Sequence, residues 1–208
     1  MATRYDDVVT FNGGFKTPGG YLTKVARTEL VENSAIAYPV PWSAHRVWNA
    51  LATNLPGTAA ADDLSLQGNT FGTGSPSIQT SDLKNAGATS QYTRFQYEMP
   101  AEYVAAGTVT LRIHAGMNTT VASASATVDV ECYRSDTEAG IGSDLCATAA
   151  TTINSLTFAD KDFTITASSL SPGDVLDVRV TVAVNDSATG TAVIGELGYL
   201  AFLLDIQG

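Results

Sequence analysis

The chain has 208 residues, 44% of them hydrophobic and only 15% charged, with 21 acidic against 11 basic side chains and a formal charge of −10. Such a composition excludes wholesale disorder, and the net negative charge disfavours sequence-independent binding to phosphate backbones, so no nucleic-acid partner is expected. No apolar run approaches the ~20 residues that span a bilayer, and Met1 leads into Thr3, Arg4 and Asp6 without a signal-peptide core, which predicts a chain made in the cytoplasm, kept there or released by lysis, with no membrane partner.

The opening is rich in glycine. Asn12-Gly13-Gly14-Phe15-Lys16-Thr17 has the look of a phosphate-binding loop, but Phe15 stands where that loop needs the Gly before Lys, and Pro18-Gly19-Gly20 follows in place of a helix. The residues support a flexible arm, and no cofactor is expected. Pro39 and Pro41 flank Val40; lacking amide hydrogens, they argue against regular pairing and for extended, polyproline-like backbone. Residues 43–51 are then expected as a short helix, capped by Ser43, with Val47, Trp48 and Leu51 on its apolar side. Residues 1–58 thus read as an extended N-terminal arm with a short helix. Both tryptophans lie in this arm. Aromatics and arginine most often carry interface energy once buried, so the candidates for gripping another protein surface are Tyr21, Arg27, Trp42, His45, Arg46 and Trp48.

Residues 59–208 read as one β-domain. A stretch rich in Gly, Ser and Thr runs to Ala88, with a loop at Gly72-Thr73-Gly74-Ser75-Pro76. Alternating apolar residues then predict strands over 92–99, 108–115, 127–134, 162–167, 175–184 and 192–206, the last broken at Gly195 or Gly198. In the fifth of these Leu176, Val178, Val180, Val182 and Val184 share one face, while Asp177, Arg179 and Thr181 share the other. Turn signals such as Ser171-Pro172-Gly173-Asp174 and Asn185-Asp186 separate the runs. Strands at this spacing, with no helix between them, predict an all-β fold: a jelly-roll-like antiparallel β-sandwich with an extended N-terminal arm.

Nothing in this scaffold has the spacing of a catalytic centre. His45 and His114 lack an adjacent nucleophile or carboxylate set and read as surface or interface residues. Asp129 and Glu131 share a strand face at a separation that paired hydrolytic carboxylates need, but any exposed strand provides this, and cross-strand pairing with Arg112 or Arg179 is the expected role. The loop 135–144 holds Asp136, Glu138 and Asp144 without EF-hand spacing, so it reads as a turn and no metal is expected. Phe95 and Tyr97 share one strand face, Tyr92 and Arg94 the other. Exposed aromatics there could stack on sugars, and core packing is the expected role of one set. Cys132, on the apolar face of its strand, and Cys146, in a loop, are expected as two thiols in a chain that folds under reducing conditions.

The strings Ala88-Thr89-Ser90-Gln91-Tyr92-Thr93-Arg94-Phe95, Met99-Pro100-Ala101-Glu102-Tyr103-Val104 and Thr108-Val109-Thr110-Leu111-Arg112-Ile113-His114 resemble a β-domain recurrent in tailed-phage virion proteins. Ser171-Pro172-Gly173-Asp174-Val175-Leu176 and the closing run 200–206 extend the similarity over roughly residues 55 to 208. Their order along the chain is similar to that of jelly-roll capsid cement, or decoration, proteins. That resemblance implies a non-enzymatic homotrimer on the capsid exterior of the virion, bound to the major capsid protein and gripping it through the N-terminal extension. A tail or head-fibre module that binds host surface glycans would use the same domain and is the alternative. A glycan-cleaving enzyme built on Asp129 and Glu131 is a third reading.

Overall fold

The computed structural model describes residues 16–17, 20–21, 36–119, 124–135, 141–187 and 190–206. Two short strands, β1 (Lys16–Thr17) and β2 (Gly20–Tyr21), pair with each other. The rest forms two facing sheets. The first has the order β11 (Thr151–Thr152), β10 (Ala124–Arg134), β13 (Val175–Asp186), β8 (Gly87–Glu98), β4 (Arg46–Val47) and β5 (Ala50–Asn54). The second has the order β12 (Ala159–Ile165), β9 (Val109–Met117), β14 (Gly195–Leu204), β7 (Ser77–Gln79) and β6 (Ser65–Gln67), with β3 (Ile36–Pro39) also on β14. Strands β7 and β3 share one edge of β14 end to end, β7 at residues 196–197 and β3 at 201–204. Successive long strands change sheets: β8 to β9, β9 to β10, β12 to β13 and β13 to β14. That alternation, with β13 between β8 and β10 and β9 between β12 and β14, is jelly-roll connectivity, and it bears out the expected sandwich.

Period-two alternation is what makes these strands. Val178, Val180 and Val182 of β13, Val128, Val130 and Cys132 of β10 and Phe95 of β8 turn inward and meet Leu111 and Ile113 of β9, Phe163 of β12 and Phe202 of β14, all buried. Each such side chain removed from water contributes about 1.5–3 kcal/mol before conformational entropy is charged against it. The break expected in the last strand is a bulge. Leu197 faces Ala115 and Tyr199 faces His114, so Gly198 is the extra residue, and the inward set moves from Leu197 to Leu200, Phe202 and Leu204. Before β13, Asp174 N–H donates to the Ser171 carbonyl at 3.2 Å, and Gly173 takes φ +86°, as the third position of a type II turn requires.

Residues 36–58 depart from the arm expected there. The segment expected as a helix is a 3₁₀ turn (Trp42–Ala44) followed by the β4–β5 hairpin. The buried positions are His45 and Val47, two apart, which is a strand's spacing; reading His45 as polar hid it. The prolines do not prevent pairing either, because Val40 N–H bonds the Leu200 carbonyl and so the neighbouring Pro39 nitrogen points to the open edge, where no donor is needed.

Candidate functional site

The outward faces of β10, β13 and β8 bring charges and rings into register. Glu131 is opposite Arg179, which is opposite Arg94; Tyr133 is opposite Asp177. The expected Glu131–Arg179 ion pair is present. A second pair was not legible in the sequence: Arg94 donates from Nε to Asp177 Oδ1 at 2.7 Å and from Nη2 to Oδ2, a bidentate grip between residues 83 positions apart. The Asp177 side chain is only 7% exposed, and its hydrogen bonds hold the Arg94 guanidinium above the usual arginine range.

The β4–β5 turn overhangs this floor and supplies a wall. Trp48 sits at that turn, its indole N–H donating to Asp62 Oδ2 at 2.8 Å, and Arg94 Nη1 reaches the Trp48 carbonyl at 3.4 Å. The Arg179 guanidinium carbon lies 5.4 Å from the Trp48 ring centroid and 5.0 Å from that of Tyr92, while the two rings are 5.2 Å apart. Ile141, exposed, stands at the rim. Trp48, Asn49 and Ile141 above, with Arg94, Asp177, Arg179, Glu131 and Tyr133 below, enclose an open depression of about 360 Å³. Burial and the Glu131 carboxylate beside it push the Tyr133 phenol up, so it is a hydrogen-bond donor at neutral pH.

Of the expected interface residues, Trp48 lies in this depression. His45 is turned into the protein instead, 1% exposed, with its ring 5.1 Å from Phe95. Thr93 donates its hydroxyl to the Arg46 carbonyl, so the His45 Nδ1 contact with Thr93 Oγ1 at 3.2 Å assigns the proton to Nδ1 and leaves buried Nε2 without a partner among the described residues. Burial and the Arg46 charge lower its pKa to about 4. Trp42 packs on the core beside His45, and Arg46 donates to the His45 carbonyl at 3.0 Å, within its own loop. Arg27 and the Tyr21 side chain lie outside the described residues. So do residues 136–140 of the acidic loop; Asp144 spends Oδ1 on two backbone amides.

The depression offers ring faces next to donors and acceptors fixed on strands. Each guanidinium is oriented by its carboxylate, so neither has to be ordered when a ligand arrives. A ligand with an apolar face and several hydroxyls matches that arrangement.

No protein-family model and no curated protein matches the sequence. Solved structures similar to the chain include TmCBM61 in complex with β-1,4-galactotriose, at 12% identity over 64% of this chain and 74% of that one, with a TM-score of 0.36. The CBM22-1 xylan-binding domain from Paenibacillus barcinonensis Xyn10C is 12% identical over 84% of this chain and 98% of its own, with a TM-score of 0.42. The K3 cleaved adhesin domain of Lys-gingipain from Porphyromonas gingivalis w83 is 13% identical over 83% and 98%, with a TM-score of 0.39. The likeness is one of β-sandwich fold alone.

Proposed function

We propose that this domain is a non-catalytic glycan-binding module whose ligand lies in the depression under the β4–β5 turn. The resemblance of its sequence to virion proteins suggests a tail or head fibre as its setting. The observation that carries the reading is the juxtaposition of Trp48 and Tyr133 with the Arg94–Asp177 and Arg179–Glu131 pairs in one open cleft. Sugar rings are amphipathic, with C–H faces that pack on aromatic rings and hydroxyls that bridge fixed carboxylates and guanidiniums. The carboxylate that a hydrolase would need free, Glu131, is held in an ion pair by Arg179.

Isothermal titration of the full chain against a panel of host surface polysaccharides tests the reading. Saturable binding that Trp48→Ala weakens at least tenfold supports it; a panel without binding, or binding that Trp48→Ala weakens less than that, refutes it. The competing proposal is the capsid decoration protein, a homotrimer on the major capsid protein. Phe71, fully exposed at 101%, is the side chain that such a contact would cover. Stoichiometric binding to capsids depleted of this chain, lost in Phe71→Ser and kept in Trp48→Ala, would select that proposal.

A further inference from the structure

Two cysteines lie close together at the seam between the sheets, on the inward side of β10, whose outward residues Glu131 and Tyr133 line the depression. Cys132 is fully buried at the inward end of β10, and Cys146, half-buried, packs against the same core. Both are unbonded thiols in the structure. Asp144 Oδ1 clamps them together by accepting the amide N–H of Cys132 and that of Cys146, each at 2.9 Å, so the two nitrogens lie within twice that distance of one another. The Leu145 amide donates to the Cys132 carbonyl at 2.7 Å. On the other side Thr166 N–H donates to the Leu145 carbonyl at 2.7 Å and Ala147 N–H to the Thr164 carbonyl at 2.9 Å. Residues 145–147 are thereby laced to β10 of the first sheet and to the end of β12 of the second. A disulfide needs Cα atoms about 4.4–6.8 Å apart and side chains that converge. Amides held on one carboxylate oxygen, with both side chains packed on one apolar cluster, bring the two cysteines near that geometry; in the reduced form the Cys146 thiol donates to the Thr148 carbonyl at 3.6 Å.

We propose that Cys132 and Cys146 are the two halves of a disulfide that forms when the chain folds under oxidising conditions and staples the crossing between the sheets. The step consumes a disulfide oxidant such as oxidised glutathione. One cysteine thiolate attacks it to give a mixed disulfide and expels a glutathione thiolate; the second cysteine attacks the mixed disulfide and expels the other, so two protein thiols become one S–S bond and the oxidant becomes two thiols. Burial pushes both thiols up, which suppresses the thiolate once the fold has closed. The bond therefore forms during folding.

The test refolds the denatured, reduced full chain in a glutathione redox buffer and, separately, in dithiothreitol. The expected product of the first is a monomer two hydrogens lighter by intact mass, with the peptides of Cys132 and Cys146 linked in a non-reducing digest. Closing a loop of roughly 15 residues should raise Tm by about 5–10 °C over the reduced form. Cys146→Ser should lose both the mass change and the Tm difference between the two buffers. Full recovery of two thiols on denaturing the glutathione-refolded wild type, or glutathione adducts in place of the internal bond, would overturn the proposal. That reading uses the wild-type chain alone and stands even if the variant does not fold.

Discussion

The outer faces of the two sheets carry similar residues and become different surfaces. On the first, Arg94 grips Asp177 and Arg179 pairs with Glu131 beneath Trp48 and Tyr92. On the second, Arg112 grips Asp162 with two bonds of 2.7 Å, and Asp160 takes His114 Nδ1 at 2.7 Å and the Tyr199 hydroxyl at 2.9 Å. There the His114 and Tyr199 rings stack within 9° of parallel, each covering the other, and Asp162 is 45% exposed where Asp177 is 7%. What separates the faces is the β4–β5 turn, which sets Trp48 over the Arg94 and Arg179 floor of the first sheet. Strand residues make a floor, and a cleft needs an element that rises above it.

The most sensitive point of that comparison is the histidine under the wall. His45 is held neutral in the folded protein with a pKa near 4, against 6.5 when unfolded. Below 6.5 the unfolded chain binds a proton that the folded chain refuses, so stability is full above pH 6.5 and falls as pH drops towards 4, by on the order of 3 kcal/mol in all and about 2 by pH 5. Urea unfolding at pH 7 and pH 5 should show that difference in the wild type and lose most of it in His45→Phe. An equal pH dependence in the variant would place the titrating group elsewhere.

The two arginine–aspartate pairs should respond unequally. Asp177→Ala removes the buried carboxylate that grips Arg94 and should destabilise the fold by about 2 kcal/mol, discounted from the fully buried case because the Arg94 side chain is 32% exposed. Asp162→Ala, on the open face, should cost under about 0.5 kcal/mol. Equal losses in denaturant midpoint would mean that the wall does not change the environment of the floor.

Trp48→Ala and Tyr199→Ala extend the contrast to ligands. The first should weaken glycan affinity at least tenfold, roughly 1.4 kcal/mol, and the second should leave it unchanged in the same titration. The smallest effect on a carbohydrate assay is expected from Glu131→Gln. It keeps the shape opposite Arg179, so stability should move by no more than about 1 kcal/mol, and reducing-end assays on host polysaccharide should read the same before and after the change.

The long strands were legible because β8, β9, β10, β13 and β14 bury aliphatic residues at every second position. The β4–β5 hairpin was not, since its inward residues are His45 and Val47, and a helical spacing through Val47, Trp48 and Leu51 fitted as well. Within the candidate site, the common face of Asp177 and Arg179 followed from parity along one strand. The partner of Asp177 did not, because Arg94 reaches it through the β8–β13 register, and register is set by packing across the whole sheet.

The pairing of β3 with β14 has a consequence for how the protein comes into being. Residues 36–39 find their hydrogen-bonding partners at 201–204, so the second sheet cannot close while β14 is still being synthesised. Strands that alternate between sheets likewise make contacts that are distant along the chain, which slows folding. Until β14 emerges, β3, β7 and β9 wait with unpaired amides, and that interval is when the chain is most prone to join the wrong neighbour.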